Sequence, residues 1–105
     1  MVTTTRVSET ADRSLRLVLA ELAFLPEMAA GWADEPAGNR LNYSLEWDDL
    51  IGRILLLQRA YQAEELSPAQ QDRYREMVAK LRELLPLIGQ LDLARPPQDV
   101  LAVVA

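Results

Sequence analysis

The 105 residues contain no cysteine and no histidine. The first absence excludes disulfides and thiolate zinc sites. The second excludes imidazole bases and His-ligated iron, and with them the catalytic dyads and triads that depend on either residue. Glycine is scarce, with four in the chain, and aromatics make up 6%. Four scattered glycines build no phosphate-cradling loop of the GxGxxG or GxxxxGK[ST] kind. No window reaches the roughly 18 to 20 apolar residues of a membrane span. The most apolar early stretch, Leu15 to Leu25, carries Arg16 and Glu21 and follows Glu9 and Asp12, which does not fit the uncharged centre of a secretory signal. Bases are the minority charge: 11 Lys+Arg against 16 Asp+Glu leave −5, which argues against a nucleic-acid backbone as the main partner. The expectation is a cytoplasmic protein without cofactor or metal, and with no nucleic-acid or membrane partner.

Half of the residues are hydrophobic and 26% are charged, a balance that supports one globular domain with a real core. Its segments read as helices. Ala11, Leu15, Val18, Leu22, Leu25 and Ala29 recur at steps of four and three, so a first helix is expected from Ser8 or Thr10 to Ala30, after a flexible stretch at residues 1–7. Pro26 lacks an N–H for the carbonyl of Leu22, which predicts a kink or break there. Gly31 and the run from Asp34 to Asn39 predict a loop over residues 33–43. A second helix is expected from Ser44 to Leu66, capped by Ser44 or Asn42, with a seam of Trp47, Leu50, Ile54, Leu57 and Tyr61. Ser67-Pro68-Ala69-Gln70 is a capping box with proline at the first helical position. It starts a third helix whose seam runs from Tyr74 through Met77, Val78, Leu81, Leu84 and Leu85 to Ile88. Pro86 interrupts that pattern and Gly89 is expected to end it. Glu76 and Lys80 stand four apart in the favoured order for a surface ion pair. A junction of a residue or two at Ser67 forces the second and third helices into an antiparallel hairpin. No strand pattern precedes residue 98. The fold expected is all-α: a small three-helix bundle with an apolar C-terminal tail over residues 92–105.

The second helix has an apolar stripe on each side. Opposite the seam lie Leu45, Gly52, Leu56, Ala60 and Ala63, small residues and leucines that would let another helix approach closely. A bundle helix needs one apolar stripe. The second stripe is covered either by the first helix or tail of the same chain, or by a second copy, since homodimers are the commonest way to bury such a face. The tail residues Val100, Leu101 and Val103 pose the same choice between their own bundle and a neighbour. The expected interaction surface therefore comprises Gly52, Leu56, Ala60, Ala63, Val100, Leu101 and Val103, and a homodimer with a protein partner is the expected assembly.

Any catalytic site would have to be made from carboxylates. Glu46 and Asp49 stand three apart on one helix, the ExxD spacing with which helical nucleotide pyrophosphohydrolases hold part of their Mg²⁺. No EExxE precedes it, so half of that ligand set is missing, and acids in a first helical turn ordinarily serve the helix dipole. Without histidine a Glu-x-x-His di-iron bundle fails. A helix-turn-helix reading at Ser67 founders on Asp72, Glu76 and Glu83, which interleave with the bases of the third helix. Glu21 reads as an edge acid paired with an arginine, and Trp32 and Tyr43 as covers for one end of the bundle. The chain thus reads as a non-catalytic, self-associating helical interaction module, a small adaptor or regulatory subunit. The alternative is a Mg²⁺-dependent hydrolase with a carboxylate site formed across a dimer.

Overall fold

The computed structural model describes the backbone of residues 2–102 and the side chains of residues 8–102. Four α-helices follow in order: α1 (Val2–Gly31), α2 (Ala37–Gln62), α3 (Pro68–Gln90) and the short α4 (Gln98–Leu101). A 3₁₀ turn, Trp32–Asp34, joins α1 to α2. Among the described residues there is no strand, so the all-α expectation holds. No helix there is long and apolar enough to cross a membrane.

α1 packs against both α2 and α3 and runs along the molecule's long axis of 49 Å. Its expected stripe is its buried one: Ala11, Leu15, Val18, Leu22 and Leu25 all lie in the core. They meet the two other seams, Trp47, Leu50, Ile54 and Leu57 from α2 and Tyr74, Met77, Val78, Leu81 and Ile88 from α3. Two contacts fix the hairpin direction. In the first half of α2, Trp47 Nε1 donates to the carbonyl of Ala94, beyond the end of α3, at 2.7 Å. At the other end, the rings of Tyr61 and Tyr74 stack with centroids 4.4 Å apart. α2 and α3 are therefore antiparallel. The first turn of α3 is tied to residues 8–12 of α1 by Gln70, whose Nε2 donates to the carbonyl of Ser8 at 3.0 Å and to Asp12 Oδ1 at 2.8 Å.

Gln70 has a second task. Its Oε1 accepts from the Ser67 amide at 2.9 Å while Ser67 Oγ accepts from the Gln70 amide at 3.2 Å, the reciprocal capping box expected of Ser67-Pro68-Ala69-Gln70. Leu81, at the middle of α3, is fully buried. Leu81→Ala is therefore expected to cost about 2 to 5 kcal/mol in denaturant melts; a cost below about 0.5 kcal/mol would mean the seam is not a core seam.

Several helix ends differ from expectation. α1 already begins at Val2, so the backbone of residues 2–7 extends the helix, and α1 and α3 run on through Pro26 and Pro86 without a break. Each proline removes one hydrogen bond, but both are exposed at positions where tertiary packing holds the helix together. α2 starts at Ala37, seven residues earlier than Ser44. Pro36 sets the extended N-cap and the Arg40 amide bonds its carbonyl at 3.1 Å. Ser44 is accordingly inside the helix, its Oγ bonded to the Arg40 carbonyl at 3.0 Å, rather than a cap. α2 also ends early, at Gln62, and five residues connect it to α3. There Glu64 takes φ 58° and the Glu65 amide reaches back to the Ala60 carbonyl at 2.9 Å, a Schellman end. α3 ends the same way, with Asp92 at φ 57° and the Leu93 amide on the Ile88 carbonyl at 3.0 Å; the left-handed residue is Asp92, not Gly89. Lys80 pairs with Glu83 at 3.4 Å, not with Glu76.

The C-terminal segment folds back onto its own bundle. Val100 is fully buried, and Leu91, Leu93, Pro96 and Leu101 are buried with it. Arg82 of α3 donates Nε to the Leu101 carbonyl at 2.8 Å, and its Nη2 donates to the same oxygen. Val100 and Leu101 are thus withdrawn from the expected interaction surface, because α3 and the core cover them. Val103 lies outside the described residues.

Candidate functional site

The outer face of α2 is the structural feature the fold does not explain. The helix is about 39 Å long at 1.5 Å per residue. Along it Leu41, Leu45, Gly52, Leu56 and Ala63 follow one another at alternating steps of four and seven. Eleven residues make three turns with a drift of only about 20°, so these side chains form a line nearly parallel to the helix axis. Neither α1 nor the C-terminal segment covers them. Leu41 is 61% exposed, Leu45 55% and Leu56 62%. Gly52 and Ala63 are exposed as well. A Cβ at Gly52 would meet no atom of the chain within 4 Å, so the fold has no need for glycine in mid-helix, where it costs about 0.5 to 1 kcal/mol relative to alanine.

Of the residues expected on this stripe, Leu45, Gly52, Leu56 and Ala63 lie on it. Ala60 does not: it sits at the edge and packs, half-buried, against the core. Leu41 belongs to the stripe, although a loop was expected around it. Its signal is visible once α2 is extended to Ala37, because Leu41 stands four before Leu45 and eleven before Gly52.

Charge frames the stripe. At 100° per residue, Asp48 and Arg59 stand about 40° and 20° to one side of Gly52, and Asp49 and Arg53 about 60° and 100° to the other. All four are exposed. The ion pairs among the described residues are Arg75–Asp72 and Lys80–Glu83, so none of these four side chains is ion-paired with another described residue.

A second feature is an open cleft of about 250 Å³ between α1 and α2, where Leu17 and Glu21 face Tyr43, Glu46, Asp49 and Arg53. It brings acids from two helices to one place, but among the described residues no three acidic side chains are grouped so as to hold a metal ion. Glu21, Glu46 and Asp49 are exposed, and Glu21 makes no ion pair with an arginine among the described residues. The buried Tyr43 hydroxyl has no hydrogen-bond partner, and burial, with Glu21 and Glu46 nearby, pushes its pKa up to about 12. The Tyr43 ring meets Trp32 edge-on at 5.8 Å, which closes this end of the bundle as expected. The cleft is smaller than the roughly 300 to 1,000 Å³ of ordinary ligand pockets.

Comparison of the chain with family models, with curated proteins and with solved structures gives no match.

Proposed function

We propose that the protein is a non-catalytic helical interaction module that works as a self-associating adaptor or regulatory subunit, with the outer face of α2 as its working surface. One observation carries this reading: three leucines in line on a single helix, each more than half exposed, with a glycine between them that the chain's own packing does not require. Burying such a leucine contributes about 1.5 to 3 kcal/mol at most, so a face that buries three per chain has enough apolar surface to drive association. The composition supports the non-catalytic part, since the chain has no histidine or cysteine and the acids of the α1–α2 cleft are exposed. A chain without cysteine also has nothing that calls for an oxidising compartment, which fits a cytoplasmic setting.

Leu56→Arg tests the surface. The side chain is exposed in the single chain, so the variant is expected to keep wild-type helicity by circular dichroism and a wild-type thermal midpoint at low concentration. In the assembly it would bury a charge in an apolar contact, at a cost of several kcal/mol. Light scattering on a sizing column is expected to show the wild type as a dimer and Leu56→Arg as a folded monomer. Equal masses for the two proteins would place any assembly on another face.

A further inference from the structure

The charges that frame the stripe say how two copies would meet. Resting on the reading of α2 as a self-association surface, we infer that its occupant is the α2 of a second copy, laid antiparallel across a two-fold axis at Gly52.

In that arrangement Gly52 meets Gly52 of the other copy and Leu41 lies opposite Ala63. A large side chain at each end faces a small one, and the glycine gives the close approach at the centre where the two helices cross. The flanks then pair by sign. In antiparallel helices each edge faces the same edge of the other copy. Asp48 therefore lies along the edge that carries the other copy's Arg59, and Asp49 along the edge that carries its Arg53. With the axis at Gly52, both pairs are offset by no more than about 5 Å along the helix, within the span of an arginine side chain. Symmetry repeats each pair; Arg53 also lies about 3 Å along the helix from its own copy, so the Asp48–Arg59 pair carries the match of signs. A parallel, in-register pairing does the reverse: each edge then faces the opposite edge of the other copy, and Asp48 lies beside the other copy's Asp49. An unrelated partner would have no reason to match this order of charges; a second copy matches it by symmetry.

Because the chain has no cysteine, engineered thiols report only on themselves. A disulfide needs Cα atoms within about 7 Å, so crosslinking under mild oxidation reads the register directly. Gly52→Cys is expected to crosslink to itself. Leu41→Cys alone and Ala63→Cys alone are expected to stay uncrosslinked, while an equimolar mixture of the two forms the mixed dimer. Self-crosslinking of Leu41→Cys would mean parallel pairing and would overturn the inference. If none of these variants crosslinks while the wild type sediments as a dimer, the dimer uses another face, and the inference falls with the surface. A monomeric wild type would sink self-association itself.

A charge swap gives an independent readout. Arg59→Asp is expected to raise the dissociation constant roughly threefold to tenfold, and adding Asp48→Arg in the same chain is expected to restore most of it. If the double variant is weaker than Arg59→Asp alone, the two side chains are not opposed across the interface and the antiparallel assignment fails.

Discussion

Replacing Trp47 with alanine is expected to cost about 3 to 5 kcal/mol, a large part of the roughly 5 to 15 kcal/mol that holds a domain of this size together. Trp47 is among the largest fully buried side chains, placed where α2 faces both α1 and the segment that follows α3. It also makes the single hydrogen bond described between α2 and that segment, Nε1 to the Ala94 carbonyl at 2.7 Å. Alanine would leave a cavity and an orphaned carbonyl, and would loosen the return of residues 91–101 onto the bundle. Trp47→Phe keeps much of the apolar volume and loses the N–H, so it is expected to cost less, about 1 to 2 kcal/mol. Chemical denaturation followed at 222 nm distinguishes the two. Equal small losses for both variants would mean that the segment is held without Trp47.

The second large effect is alkaline. Tyr43 and Tyr74 are buried with no partner for either hydroxyl among the described residues, and their pKa values are pushed up from 10.0 to about 12. Burial is the main cause at both; Glu21 and Glu46 add to it at Tyr43, and Tyr61 and Asp99 at Tyr74. The folded chain holds these protons more tightly than the unfolded chain does. The stabilisation is therefore complete below pH 10 and is lost as pH rises from 10 to about 12. Each tyrosine accounts for on the order of 2 kcal/mol across that window, so the two together consume several kcal/mol of stability. Tyr74→Phe is expected to remove about half of the alkaline loss. At neutral pH it is expected to be neutral or slightly stabilising, because the hydroxyl it deletes is unsatisfied. Urea midpoints at neutral and at alkaline pH check both statements; an unchanged alkaline loss in Tyr74→Phe would assign it to other groups.

The seams were legible in the sequence because they rest on period alone. Leu15, Val18 and Leu22, Trp47, Leu50 and Ile54, and Tyr74, Val78 and Leu81 repeat at helical steps, and all of them are core. The capping box at Ser67 was equally legible, since its two hydrogen bonds involve residues three apart. What local signals misplaced were the helix ends. Pro36-Ala37-Gly38-Asn39 has the composition of a loop, yet the 3₁₀ turn at Trp32–Asp34 and the packing of Trp32 on Tyr43 bring the chain round early enough for α2 to start there. Glu64 and Asp92 adopt the left-handed conformation that composition would assign to glycine, because the Schellman bonds and buried neighbours such as Leu93 compensate for the strain.

The outer stripe of α2 was half legible. Leu45, Gly52, Leu56 and Ala63 declared themselves by spacing, but spacing could not say whether α1 or the C-terminal segment would cover them. The answer lies in Trp47 on Ala94 and Arg82 on Leu101, which hold residues 91–101 against α2's inner side and α3; among the described residues the outer side stays bare. Leu41 was hidden by the misplaced helix start. The tail residues Val100 and Leu101 were apolar for the ordinary reason that they are core.

α2's outer face is either bare in solution or shared between two chains. Sedimentation equilibrium of the wild-type protein from about 1 to 100 µM decides it, a range that spans the dissociation constants expected of a modest interface. The account predicts a mass that rises with concentration from 11.8 kDa towards twice that value. A mass of 11.8 kDa at every concentration would contradict it.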